Sequence, residues 1–403
     1  MADPDSSRSR IYDCADVPAL DFDPFLRESL SRAPVSRIRV PHGDGDCWLV
    51  TRYDDVRFVT SDPRFSRDIL GRSAPKMTRH TIPLDRAVSY ADPPEHARVR
   101  AVVAPAFSQR AVDRLRGPAR TLLDRLIHDL EGAGPPADLV HHVVSPFPLE
   151  IIGEVVGVPA ADRPLWREWT QVIFTRVHDE AAAARVERVK ESARDYFRAL
   201  AALRRVAPRD DLMSAMAAAV TAGRIDEDEL LALATLLQLN GWHAVRNNAA
   251  NMVYALLTHE GLADRLRERP SLVPQAVEEL LRWVPHKHAI GQPRVATEDV
   301  EVGGVLIRAG EFVYVSYVAA NRDERVYDDP DRIDFERRGP QHVAFGHGPH
   351  YCVAPLLARM EAELLLSNLV TRFPRLRLAV PAEEVRWQTD VVIRGPVGLP
   401  VTW

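Results

Sequence analysis

Phe345-Gly346-His347-Gly348-Pro349-His350-Tyr351-Cys352 runs directly into Val353-Ala354-Pro355 and the apolar-rich stretch Leu356-Leu357-Ala358-Arg359-Met360-Glu361-Ala362-Glu363-Leu364. Gly346 and Gly348 permit a tight backbone turn, and the spacing of apolar residues after them predicts a helix. The cysteine then lands at a helix N-terminus, where free N–H groups and the macrodipole favour a thiolate over a thiol. A lone cysteine is ordinarily a small buried hydrophobe. The glycines, histidines and proline packed around this one reverse that expectation.

Working outward, 403 residues with 46% hydrophobic and 27% charged side chains suffice for a large core and resemble neither a disordered nor a membrane-embedded chain. The segment Met1 to Asp21 is charged and broken by Ser, Asp and Pro, so it holds no apolar signal core, and the cytoplasm is the expected compartment. With 52 basic against 57 acidic residues and no long basic run, the footprint of a nucleic-acid binder is missing. Cys14, Cys47 and Cys352 are the cysteines, too few and too scattered for a disulfide framework or a CxxC metal ribbon. GxSxG, HExxH and GxxxxGK are absent, which disfavours hydrolase and nucleotide-dependent chemistry.

Alternation between Arg37 and Thr60 predicts strand, turn, strand and helix. Residues 68 to 94, with Gly71, Pro75, Pro83, Pro93 and Pro94, read as a long loop carrying Arg72, Lys76, Arg79, His80 and Arg86. Helical periodicity dominates from Ala111 to Trp283, broken at Gly132–Pro136, Pro159, Pro208 and Gly223. Within it, 227 to 258 predicts one buried helix of roughly 45 Å. A hairpin around Gly303-Gly304, a strand at Phe312–Ser316 and a last sheet segment at Val391–Val401 complete a mostly α chain with small β-sheets. Sheet pieces at both ends argue for one interwoven domain over 1–403, with 1–20 as a loosely ordered extension.

The cysteine segment resembles the haem-binding signature FGxGxHxC of the cytochrome P450 family, and the resemblance spans nearly the whole chain. Glu279-Leu280-Leu281-Arg282 is similar to the family's ExxR helix, His96-Ala97-Arg98-Val99-Arg100 to its HxxxR helix, and the stretches from Arg294 and from Asn321 to its following segments. The resemblance implies a triangular α-rich domain with a long central helix over haem b. It makes Cys352 the iron ligand, sets Phe345 and Gly346 against the cofactor, and gives His96, Arg100, Arg294 and His350 to the haem propionates. Glu279, Arg282 and Arg337 would lock together structurally. Electrons would come from a separate ferredoxin and its reductase, with Arg110, Arg114 and Arg116 as candidate steering charges. Ala354, Pro355 and Ile333 depart from the family pattern and affect local packing rather than ligation. A zinc cluster of His342, His347, His350 and Cys352 is the rival reading, and it explains none of the distant anchors.

Where the family's central helix usually carries Ala-Gly-x-Asp/Glu-Thr, this chain has Asn240-Gly241-Trp242-His243-Ala244-Val245. Gly241 sets the register, His243 replaces the acid and Ala244 the alcohol. Positioned acid–base groups typically contribute ~10²–10⁴-fold, so their loss calls for a substitute: a substrate that brings its own proton donor, His243 as the relay, or peroxide or nitric oxide chemistry. Asn240, Gly241 and His243 are therefore the candidate catalytic residues. Trp242, Ala244, Val245, His286, Lys287, His288, Ala289 and Ile290 are candidate pocket residues, joined by the 68–90 loop and by Val172–Asp179. The expected function is oxidation of a natural-product or short-peptide precursor, aromatic and acidic, by cross-linking without oxygen insertion. Hydroxylation or epoxidation is the alternative, and a non-catalytic haem sensor is the reading from another class.

Overall fold

Asp226 opens the longest helix by a reciprocal cap, its carboxylate accepting from the Glu229 N–H at 2.8 Å while Glu229 accepts from the Asp226 N–H at 2.9 Å. From there Glu227–Thr258 continues for 32 residues, about 48 Å, buried on most of its circumference. Such a helix needs neighbours on every side, and it packs against Pro146–Val156, Arg163–Phe174, Glu180–Val206 and Leu212–Thr221. The approach is close at Gly241, where a Cβ would run into Ile152 of the Pro146–Val156 helix. The computed structural model describes residues 9–13, 17–80, 87–285 and 292–403.

One six-stranded sheet collects strands from both ends of the chain, in the order Arg10–Ile11, Val35–Arg39, Cys47–Val50, Phe312–Val315, Arg294–Ala296, Phe65–Ser66. Its join is parallel, with Trp48 opposite Val313 and Val50 opposite Val315. A hairpin pairs Val300–Val302 with Val305–Ile307 across Gly303 and Gly304, both at positive φ. A third small sheet joins Arg377–Leu378, Pro400–Thr402 and Ala137–Asp138. The mostly α reading with small sheets therefore holds. Among the described residues no helix is long and apolar enough to cross a membrane.

Two expectations change. Residues 9–13, read as part of a loose extension, are tied down: Arg10–Ile11 pairs with Ile38–Arg39, and Tyr12 is buried with its hydroxyl 3.1 Å from Asp23. The segment from 391 to 401 is strand only at Pro400–Thr402, because its earlier part makes isolated bridges, Val391 to Thr175 and Pro396 to Trp387, in place of a ladder.

The ExxR helix, Val273–Trp283, buries one carboxylate that organises the chain ahead of the cysteine. Glu279 accepts from Arg282 Nε and Nη2, both at 2.8 Å, from Arg337 Nε at 3.0 Å and from the Asp334 N–H at 2.9 Å. Arg282 continues to the carbonyls of Asn321 and Pro330, each at 2.9 Å. Arg337 reaches the Asp329 and Arg332 carbonyls at 3.1 and 2.8 Å. Breaking a buried pair by removing one charge typically costs about 3–5 kcal/mol. Glu279→Gln should therefore lower the denaturant midpoint by a free-energy loss of about that size, while the exposed control Glu384→Gln should not; an unchanged midpoint would show the network to be dispensable.

Candidate active site

The cysteine segment folds as a tight loop because Gly346 and Gly348 both adopt positive φ, near +80° and +73°. At Gly348 a Cβ would run into the Thr60 carbonyl, so that glycine allows the loop to lie against the end of Tyr53–Ser61. The Cys352 N–H returns to the Phe345 carbonyl at 2.8 Å, closing the turn. The helix begins at Pro355, so Cys352 precedes its N-cap, Ala354, and is not within the first turn as the sequence suggests. The Phe345 ring is held from behind by the Arg359 guanidinium, 4.7 Å from its centroid, and Arg359 is fixed by Glu278 at 2.6 and 2.9 Å. Neither Glu278 nor Arg359 was singled out by motif.

Phe345, Gly346 and Cys352 border a cavity of about 780 Å³ that extends to the central helix. That helix presents Asn240, Gly241, Ala244, Val245 and Asn248, the i, i+4, i+8 face, to the cavity. Trp242 and His243 point elsewhere and do not line it. The pocket role for Trp242 is thus corrected: it is 2% exposed and its indole N–H donates to the Ser145 carbonyl at 2.9 Å. His243 is 1% exposed, stacked at 4.8 Å on Phe174, with Nε2 3.4 Å from the Asn247 amide. Burial, and secondarily Arg246, pushes its pKa down to about 3, so it stays neutral. Gly241 serves close helix packing, with no group to offer chemistry. His286, Lys287, His288, Ala289 and Ile290 lie outside the described residues.

On another wall, cations gather. The rings of His96 and His350 lie 4.3 Å apart, and Arg100 donates to the Cys352 carbonyl at 3.3 Å. Arg294, buried close by without bordering the cavity, is 1% exposed, and among the described residues neither terminal nitrogen of its guanidinium has a hydrogen-bond partner. His350 is driven down to about 2, first by burial and then by Arg67, His96, Arg294 and Arg100. Buried guanidinium N–H groups facing no acceptor are costly, so this wall is built to receive anions. Haem propionates are such anions, and the cavity beyond is open to a large flat ring. Cys352 would supply the thiolate: Cys47 is buried against the Ile38 carbonyl with its thiol pushed up to about 12 by burial. A zinc site at the histidines is unsupported, since no group of three metal-binding side chains occurs among the described residues.

Sequence reading missed Arg67. Phe65 pairs with Ala296 and Ser66 with Val295, so the next step of that register sets Arg67 opposite Arg294. The only signal was its place one residue past a strand. Of the loop charges that were named, Arg72, Lys76 and His80 line the cavity, Arg79 turns to the His178 carbonyl, and Arg86 lies outside the described residues.

The cytochrome P450 family model matches residues 162–385. Biflaviolin synthase of Streptomyces coelicolor is 46% identical over 395 residues, 96% of each chain. The chain belongs to the cytochrome P450 family. Nocardicin C N-oxygenase of Nocardia uniformis subsp. tsuyamanensis is 43% identical over 98% of this P450 and 99% of its own length. Among solved structures, cytochrome P450mel 107F1, described as having biaryl coupling reactivity, superposes with a TM-score of 0.95 at 43% identity over 98% of this P450 and 100% of that chain. As a P450 the protein is a haem-dependent oxidoreductase of the bacterial biosynthetic monooxygenase family, whose iron is held by a cysteine thiolate.

A neutral His243 sets a pH dependence. Unfolded, it titrates near its ordinary 6.5; folded, at about 3. Between these values the unfolded chain binds the extra proton, so stability falls as pH drops below about 6.5. His243→Gln should weaken that fall by up to about 2 kcal/mol at pH ~5, read as the difference in urea midpoints between neutral and acidic buffer for holoprotein and variant. Equal slopes would place a charged imidazole in the fold.

Proposed function

We propose that this P450 oxidatively cross-links an aromatic natural-product or short-peptide precursor without inserting oxygen. Cys352 ligates the iron, His96, Arg100, Arg294 and His350 hold the propionates, and a ferredoxin with its reductase delivers electrons in the cytoplasm. Thiolate-ligated haem supplies activation of dioxygen and favours O–O cleavage. The residues of this chain select the substrate and the course of its reaction.

The observation that carries the reading is the cavity face of the central helix, which offers amides and aliphatic groups at Asn240, Gly241, Ala244, Val245 and Asn248 but no carboxyl and no hydroxyl. His243, at the position of the family's acid, is buried and neutral and does not reach the cavity. An oxygen-inserting enzyme would lack positioned donors on this face worth ~10²–10⁴-fold. A phenolic substrate carries its own donor. In coupling, two aromatic C–H hydrogens leave as a new C–C bond forms, and dioxygen with two further electrons and two protons ends as two waters. Biflaviolin synthase and the biaryl-coupling P450mel 107F1 are consistent with this chemistry in similar chains. Leu236, Leu237 and Phe174 on the cavity wall exclude water and pack flat rings.

Comparing metabolites from a host with and without the intact gene tests the proposal, pairing each lost product with the precursor that accumulates. Cross-linking predicts a product lighter than its precursors by two hydrogens, with no label acquired from heavy dioxygen. A product heavier by one labelled oxygen would make the enzyme a hydroxylase or epoxidase, as mycinamicin IV hydroxylase/epoxidase of Micromonospora griseorubida, 40% identical, is named.

A further inference from the structure

We propose that Arg67 and Gln292 form an anion-binding subsite for the substrate, so that the precursor enters with a carboxylate, separate from the phenol that supplies the proton. The inference rests on the P450 reading of the cavity and names the substrate class for it. Two guanidiniums, from Arg67 and Arg100, line one wall of the cavity, and a third, from Arg294, is buried close to Arg67 without bordering the cavity. Like charges placed opposite each other on a strand pair are destabilising, and Arg67 and Arg294 are so placed by the register of Phe65–Ser66 with Val295–Ala296. Arg67 is therefore a buried cation held beside other cations, with Asp92 as the nearby carboxylate.

Among the described residues no carboxylate makes a side-chain ion pair with the Arg67 guanidinium. Arg67 is 8% exposed and lines the cavity; its Nη1 donates to the Gln292 amide oxygen at 2.8 Å and its Nε has no partner. Asp92, the carboxylate beside it, is occupied by the Ser66 hydroxyl and by the backbone N–H of Arg67 itself at 2.9 Å, and makes no ion pair with the guanidinium. Glu361 is the carboxyl that lines the cavity among the described residues, and burial pushes its pKa well above the ordinary carboxylate value. Gln292 also lines the cavity and fixes the plane of the guanidinium, leaving its other edge for an incoming acceptor. A carboxylate meeting a pre-oriented guanidinium gains a short, charge-assisted hydrogen bond in a site with little water.

The test compares 2-naphthoate with the isosteric neutral 2-naphthamide, titrated into the substrate-free holoenzyme and read from the Soret band or by displacement of a haem ligand. The naphthoate should bind about tenfold more tightly. In Arg67→Gln this preference should vanish through weaker naphthoate binding alone, with the amide's Kd and the haem reduction potential unmoved; Arg67→Lys should restore part of it. Equal binding of both probes by the native enzyme would overturn the proposal. So would an Arg67→Gln enzyme that keeps the preference, or one that loses haem or shifts its potential while the probe ratio stays the same, since Arg67 would then serve the propionates. Binding is read without turnover, so the result stands apart from whether the enzyme couples or oxygenates.

Discussion

A single buried carboxylate, Glu279, holds in place the chain that leads to the cysteine. Its two oxygens take five hydrogen bonds, from Arg282, Arg337 and the Asp334 backbone. The two arginines in turn gather carbonyls from residues 321 to 332 that belong to no helix or strand of their own. Irregular chain can be buried only if its backbone groups find partners, and these guanidiniums provide them with fixed, planar geometry. The cysteine loop starts from this framework through Asn321, whose side-chain oxygen accepts from the Val343 N–H at 2.8 Å. A charge removed at Glu279 thus acts on Cys352 without touching it.

The cavity has two unlike faces, and the chemistry follows from the contrast. The central helix contributes a face stripped of acid and alcohol, while the sheet edge and the His96 helix contribute a concentration of positive charge. One face leaves proton supply to the ligand; the other favours ligands that ionise. A precursor that keeps a phenol protonated and carries a separate carboxylate meets both conditions, so the coupling proposal and the Arg67 subsite are compatible while depending on different residues.

Much of this was legible in the sequence because it sits in short motifs. The turn around Gly346 and Gly348, the Glu279–Arg282 pair and the capped helix from Glu227 appear where spacing and residue type require them. The direction in which a side chain points along the central helix was not legible: Trp242, His243 and Ala244 are neighbours in sequence, yet a helix turns about 100° per residue, and only Ala244 faces the cavity. Arg67 was invisible for another reason. Its partner, Arg294, lies far away in the chain and is brought opposite by strand register, a long-range fact that no local pattern encodes. The tying down of Arg10–Ile11 onto Val35–Arg39 is likewise tertiary in origin.

The parallel join of Cys47–Val50 to Phe312–Val315 also bears on how the molecule is made. On the ribosome, the N-terminal strands emerge long before the strand they need, so the sheet cannot close until nearly four-fifths of the polypeptide has been synthesised. Through that interval the edge of Cys47–Val50 stays without its neighbour, a state open to wrong pairings between nascent chains. Assembly is therefore late and dominated by contacts of long sequence separation, which slows it. A chain truncated before Phe312 would hold most of the helices but not the sheet that joins its two ends, so expression of the enzyme as separate halves should yield aggregates rather than a folded fragment.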